Sequence, residues 1–157
     1  MKKILLITLL FTGLNAAQFE DNKRLCDDDA NTIGCYNLGI MYMNGTHGAT
    51  KDEDKAIEYF RKACNGGDID GCFTVGKYFE DGIGVKKDLH KSIEFYTKGC
   101  DGEDAFSCMT LGIFYRDGKG VQEDHLKAAE YFKKVCDSGY SEGCKQYEIL
   151  KKNNDMF

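Results

Sequence analysis

The chain contains no proline and no tryptophan, only three histidines, and no Cys-x-x-Cys pair among its eight cysteines. Each shortage excludes something. Without proline, glycine has to end the helices, because it enters the left-handed conformation at least cost. The histidines, His47, His90 and His125, stand far apart and not at paired spacing, so a zinc centre with an open coordination position lacks its ligands. Without Cys-x-x-Cys a thioredoxin-type redox pair is excluded. Cysteines separated by seven residues also match poorly the knuckle that puts two thiolates on one ion. Neither a metal nor a cofactor is therefore expected. The run Gly82-Ile83-Gly84 looks like part of a phosphate loop, but no Gly-Lys-Ser/Thr follows, and a helical pattern precedes it rather than a strand. Basic residues number 21 against 26 acidic ones, which argues against nucleic acid or an anionic membrane surface as partner. Carboxylates are abundant, yet they fall at caps and on solvated faces, with no fixed pair of the glycosidase kind.

One long apolar run is present. Residues 4–14 follow Lys2 and Lys3 and lead into small residues, the pattern of a secretory signal over residues 1–17, with cleavage after Ala16 or Ala17. The run is too short and wrongly flanked for a membrane span. No later segment is apolar enough to insert into a bilayer. The nearest cysteine is Cys26, which argues against a lipid-anchored form. Loss of Lys2 and Lys3 would take the net charge from −5 to −7. The expected location is secreted or periplasmic, where eight cysteines imply a disulfide framework.

The rest of the chain is periodic. Cys64, Cys100 and Cys136 are spaced by 36 residues, and so are Cys72, Cys108 and Cys144. A fixed period in this range means stacked supersecondary units. It also selects one disulfide pairing, Cys26–Cys35, Cys64–Cys72, Cys100–Cys108 and Cys136–Cys144. Each bridge closes a loop of about nine residues and contributes roughly 2.5 kcal/mol, so four give about 10 kcal/mol at most, comparable to the whole stability of a domain. The pattern divides the array, residues 18–152, into a helix stub at 18–26, units at about 31–64, 69–100 and 105–136, and a capping helix at 141–152. A tail, 153–157, comes last.

Within the units, Leu38, Val75 and Leu111, with Tyr42, Phe79 and Tyr115 four residues later, make an apolar stripe at helical spacing. Gly39, Gly76 and Gly112 sit in mid-helix, where glycine costs about 1 kcal/mol against alanine. Their recurrence predicts that another helix passes too close for a side chain. Ala56, Ser92 and Ala128 are small for the same reason, while Phe60, Tyr96 and Phe132 fill the next layer. Gly45, Gly82 and Gly118 end the first helices, and Asp52, Asp88 and Asp124 cap the second. The first unit is irregular, with a longer inter-helix loop and a wider cysteine pair. The four bridges are alike and are expected to be structural staples; if one stands apart and is open to thiol exchange, the expected exception is Cys26–Cys35.

The pattern Cys-x2-Leu-Gly-x2-Tyr followed by Ala-x3-Phe resembles the tetratricopeptide repeat, with cysteine in the tryptophan slot. The 36-residue period and the loops Asp-Gly-Ile-Gly-Val and Asp-Gly-Lys-Gly-Val make it similar to the Sel-one-like variant. The cysteine-closed loops resemble the Helicobacter cysteine-rich proteins, which are exported Sel-one-like arrays with one disulfide per repeat. The resemblance covers about residues 18–152. It implies an all-α fold, a right-handed α-solenoid of stacked helix-turn-helix repeats whose concave face binds ligands. It also implies an alternative, since some members carry a β-lactam-binding or β-lactamase label. The serine route to that chemistry needs S-x-x-K, S-D-N and K-T-G, and none occurs here.

If the core slots repeat, recognition belongs where the units disagree. In such stacking the first helix of each unit lines the inner wall. Its positions outside the stripe are Tyr36, Ile40 and Met43, then Phe73, Lys77 and Glu80, then Met109, Ile113 and Arg116. Tyr36, Phe73 and Met109 form one row and Ile40, Lys77 and Ile113 the next. Asn37, Thr74 and Thr110 add short polar groups able to bond an extended backbone. An apolar strip flanked by polar groups suits a peptide or protein ligand without turnover. The alternative is that these side chains pack between neighbouring first helices or against the terminal one.

Overall fold

A computed structural model describes residues 16–153, which form eight helices and no strand. They are α1 (16–27), α2 (Thr32–Asn44), α3 (Glu53–Asn65), α4 (Ile69–Asp81), α5 (Leu89–Asp101), α6 (Ala105–Asp117), α7 (His125–Asp137) and α8 (Ser141–Lys152). The signal segment lies outside the described residues except for Ala16 and Ala17, and so does the tail beyond Asn153. No described helix is long and apolar enough to cross a membrane.

The helices start and stop where the sequence provides the chemistry. Asn31, Asp68 and Asp104 accept hydrogen bonds from the backbone N–H groups of Gly34, Gly71 and Ser107 at the start of α2, α4 and α6. Asp52, Asp88 and Asp124 do the same from Lys55, Lys91 and Lys127 at the start of α3, α5 and α7. Each such cap contributes about 1 kcal/mol. Gly45, Gly82 and Gly118 end α2, α4 and α6 in the left-handed conformation, with φ of 64°, 77° and 64°.

Consecutive helices pack on one another, so the hairpins α2–α3, α4–α5 and α6–α7 stack and α8 closes on α7. The result is a right-handed α-solenoid. Leu38, Val75 and Leu111 are fully buried within it. The mid-helix glycines make room for a ring rather than for a passing backbone. A Cβ at Gly39, Gly76 or Gly112 would fall 2.5, 2.7 or 2.5 Å from the ring of Phe60, Tyr96 or Phe132. These aromatics, expected in a separate layer, thus fill the notch opposite the glycine of their own hairpin. Two of them also receive the edge of a ring from the next first helix. Phe60 meets Tyr78 at 5.7 Å and Tyr96 meets Phe114 at 6.0 Å. Leu150 takes the equivalent place in α8, packed with Phe132.

All four expected disulfides are present. The latter three join the end of each hairpin to the first turn of the next helix, and Cys26–Cys35 joins α1 to α2 in the same way. Side-chain volumes trade across these corners: Ala63 faces Gly71, Gly99 faces Ser107, and Val135 faces Gly143. The bridge that stands apart is not the first. Cys26 and Cys35 are buried, whereas Cys136 and Cys144 are the partly exposed pair. Residues 27–31 of the wider loop at the first corner are exposed although both of its cysteines are buried, and no described helix beyond α8 covers the last corner.

Candidate functional site

The twelve inner-wall positions separate into three environments. Tyr36, Phe73 and Met109 are half-buried, each leaning on the aromatic joints. Tyr36 lies 5.2 Å from Phe60 and Phe73 lies 5.7 Å from Tyr96, while Met109 packs between the last two hydrophobic clusters. In the adjoining row Ile40 is 38% exposed and Lys77 is exposed, held to Asp81 at 2.9 Å. Ile113 instead packs on the cluster of Ala128, Ala129 and Phe132 of α7 with Leu150 of α8.

The third row ties units together. Met43 packs on the cluster around Phe60. Glu80 accepts hydrogen bonds from the Tyr96 hydroxyl at 2.7 Å and from Lys119 of the next unit at 2.6 Å. Burial works to raise the Glu80 carboxyl, but the bonds from Lys119 and Tyr96 and the charges of Lys119 and Lys77 outweigh it, leaving its pKa lowered. Burial first, and then the Glu80 carboxylate, pushes the Tyr96 phenol far up, so it stays a donor. Arg116 donates to Gln146 of α8 at 3.0 Å and pairs with Asp117 at 2.7 Å. Among the short polar groups, Asn37 donates to Asn22 of α1 at 3.0 Å, and Thr110 bonds back to the Phe106 carbonyl at 2.9 Å. Thr74 is half-buried on α4 between them in the array. Glu80, Arg116, Ile113 and Asn37 therefore have structural partners within the protein. Tyr36, Ile40, Phe73 and Lys77 remain the more open members of the set.

Two rings outside that set extend it. Phe106, in the first turn of α6, is 65% exposed and its centroid lies 6.2 Å from Phe73. Tyr140, at the start of α8, is 50% exposed and lies 6.4 Å from Phe106. Phe73, Phe106 and Tyr140 make a continuous aromatic ridge across the beginnings of three successive first helices. Tyr140 occupies the N-cap slot held elsewhere by Asn31, Asp68 and Asp104, and no side chain caps α8. That break in the pattern is readable in the sequence. Counting candidate positions only downstream of each cysteine passes over it.

Among the described residues no three His, Cys, Asp or Glu side chains are grouped to hold a metal ion.

The model for the Sel1 repeat matches residues 32–68, 69–104 and 105–140. Cytochrome c oxidase assembly factor 7A of Xenopus laevis is 34% identical over 62 residues, which is 40% of this chain and 26% of that protein. Factor 7 of Xenopus tropicalis is 38% identical over 60 residues, 36% of this chain and 26% of that one. The aligned region is thus about a quarter of each of these relatives. Among solved structures, a Sel1 repeat protein from Oxalobacter formigenes aligns with a TM-score of 0.71 at 31% identity, over 82% of this chain and 52% of that one. A protective antigen of uropathogenic Escherichia coli with an SLR fold gives 0.67 at 25%, over 83% and 32%. Helicobacter pylori cysteine rich protein B gives 0.61 at 28%, over 81% and 95%.

Proposed function

The chain belongs to the Sel1 repeat family, and on that premise we propose that it is an exported, disulfide-stapled scaffold that binds a peptide or protein segment without turnover. The observation that carries this reading is the aromatic ridge in which half-buried Phe73 is continued by the exposed rings of Phe106 and Tyr140. Exposed rings in contiguous array are costly to leave in water, and aromatic side chains are the usual anchors of protein interfaces. The ligand lies along the first helices of the units, with apolar side chains on the ridge and on Tyr36, Ile40 and Met109. Thr74 and Lys77 face its backbone and polar groups. Four bridges hold successive hairpins at fixed angles, so little conformational entropy is lost on binding. The signal-like leader and a fully paired cysteine set support the export part of this reading.

The test takes a peptide selected from a random display library against the oxidised protein. Phe106→Ala should weaken that peptide by about 1–3 kcal/mol, the range for an aromatic anchor, with the melting temperature nearly unchanged. Full affinity in both Phe106→Ala and Tyr140→Ala would remove the ridge from the site. Export is checked by fusing residues 1–17 to a reporter enzyme that is active only in an oxidising compartment. An inactive reporter would return the protein to the cytoplasm.

A further inference from the structure

Most cations of this protein have a fixed partner. Lys55, Lys91 and Lys127 lie over the rings of Tyr42, Phe79 and Tyr115, and Lys62, Lys98 and Lys134 over Tyr59, Phe95 and Tyr131. Lys51, Lys77 and Lys119 pair with Glu53, Asp81 and Glu80. Arg61, Lys86 and Lys87 have neither a ring nor a carboxylate among the described residues, and all three line one open cavity of about 810 Å³ beside the α4–α5 loop. His90 adds a further basic group at its edge. Phe79, Val85 and Leu89 supply apolar surface. The carboxylate in the lining, Asp88, is occupied as the N-cap of α5 and as the partner of Lys91.

The repeat shows that this concentration of charge is not needed by the fold. At the places of Lys86, Lys87 and His90 the third unit has Gln122, Glu123 and Leu126, and the place of Arg61 is taken by Thr97. The first unit has Thr50, Lys51 and Asp54 there, with Lys51 held by Glu53 at 3.0 Å. One loop of three is therefore basic, in a chain of net charge −5. Mutually repelling cations gathered without partners stabilise nothing in the free protein and are available to an anionic ligand.

We infer that this cavity is a second docking site, which takes an acidic peptide segment. Its carboxylates meet Arg61, Lys86 and Lys87, and an apolar side chain between them rests on Phe79, Val85 and Leu89. The apolar lining favours a peptide over a bare inorganic anion. The acidic balance of the whole chain disfavours a nucleic acid or an anionic bilayer, which would have to approach the remaining surface too. This site does not depend on the aromatic ridge, and either can fail alone.

The test uses the oxidised chain and a labelled peptide with Asp-Glu pairs flanking a central leucine, followed by anisotropy and by amide shifts. The wild type should bind it, with shifts centred on residues 85–91 and affinity falling as salt rises. The variant R61Q/K86Q/K87Q should bind at least tenfold more weakly. K86Q/K87E, which copies the third unit, should lose binding altogether. Val85→Ser should weaken it severalfold, while Phe106→Ala should leave it unchanged. Melting temperatures near that of the wild type would show that the surface variants fold. Equal binding by the triple variant, shifts centred on Phe106 and Tyr140, or tighter binding to phosphate or to phosphatidylglycerol vesicles than to the peptide would each overturn the assignment.

Discussion

The joints between repeats and the rims of the same repeats obey different rules. In the joints, Gly39, Phe60 and Tyr78 are replaced by Gly76, Tyr96 and Phe114 with the geometry kept almost unchanged. At the rims, Ile33, Asp70 and Phe106 share one slot in the first turn of successive first helices, and Lys87 and Glu123 share another just before an N-cap. A joint has to be repeated because each hairpin buries its face only against its neighbours. A rim position touches solvent, and its identity is free to serve something else. Departures from the repeat at the surface are therefore the places to look for recognition.

The widest separation between the two classes should come from the joints. Phe132→Ala removes a fully buried ring and should cost about 3–5 kcal/mol, read as a shift of the denaturant midpoint. Gly112→Val should cost about 1–3 kcal/mol by overpacking. Part of that loss should return when Phe132 is shortened to leucine, because the two residues share one notch. Additive losses in the double variant would show that the glycine serves another purpose.

The corners come next. Replacing Cys64 and Cys72 by serine should cost about 2–3 kcal/mol, the range for a short closed loop. Under mild reductant the half-exposed Cys136–Cys144 should open first, as read by mass mapping of alkylated thiols. Preferential opening of Cys26–Cys35 would restore the reading based on loop width.

A smaller effect should come from pH. The Glu80 carboxyl titrates below its ordinary value of 4.5 in the folded chain. Its contribution is present above that value and is lost as the pH falls through the lowered pKa. The melting temperature should therefore drop on acidification below about pH 4.5, and Glu80→Gln should flatten that part of the profile. An identical acid limb in the variant would mean that other carboxylates set it.

Much of this architecture was legible because the repeat presents each slot several times. Asp52, Asp88 and Asp124 can be aligned by eye, and so can the cysteines that pair across each corner. The content of the glycine notch was less legible. A mid-helix glycine reports that space is short but not whether a backbone or a ring occupies it, and Phe60, Tyr96 and Phe132 lie on a different helix. Four of the twelve inner-wall residues, Asn37, Glu80, Ile113 and Arg116, have partners on α1, α5, α8 or the loop after α6. Such pairings depend on three-dimensional neighbours that spacing along one helix does not reveal. Phe106 and Tyr140 carried a signal of their own, an aromatic where other units place a polar or aliphatic residue.

Tyr140 offers the sharpest test, because stability and recognition should move in opposite directions at one position. Tyr140→Asp restores the N-cap that α4 and α6 possess and removes the last ring of the ridge. The melting temperature should rise, by the equivalent of about 1 kcal/mol, while the selected peptide binds at least tenfold more weakly. A lower melting temperature with undiminished affinity would show that the ring holds the fold together and that recognition lies elsewhere.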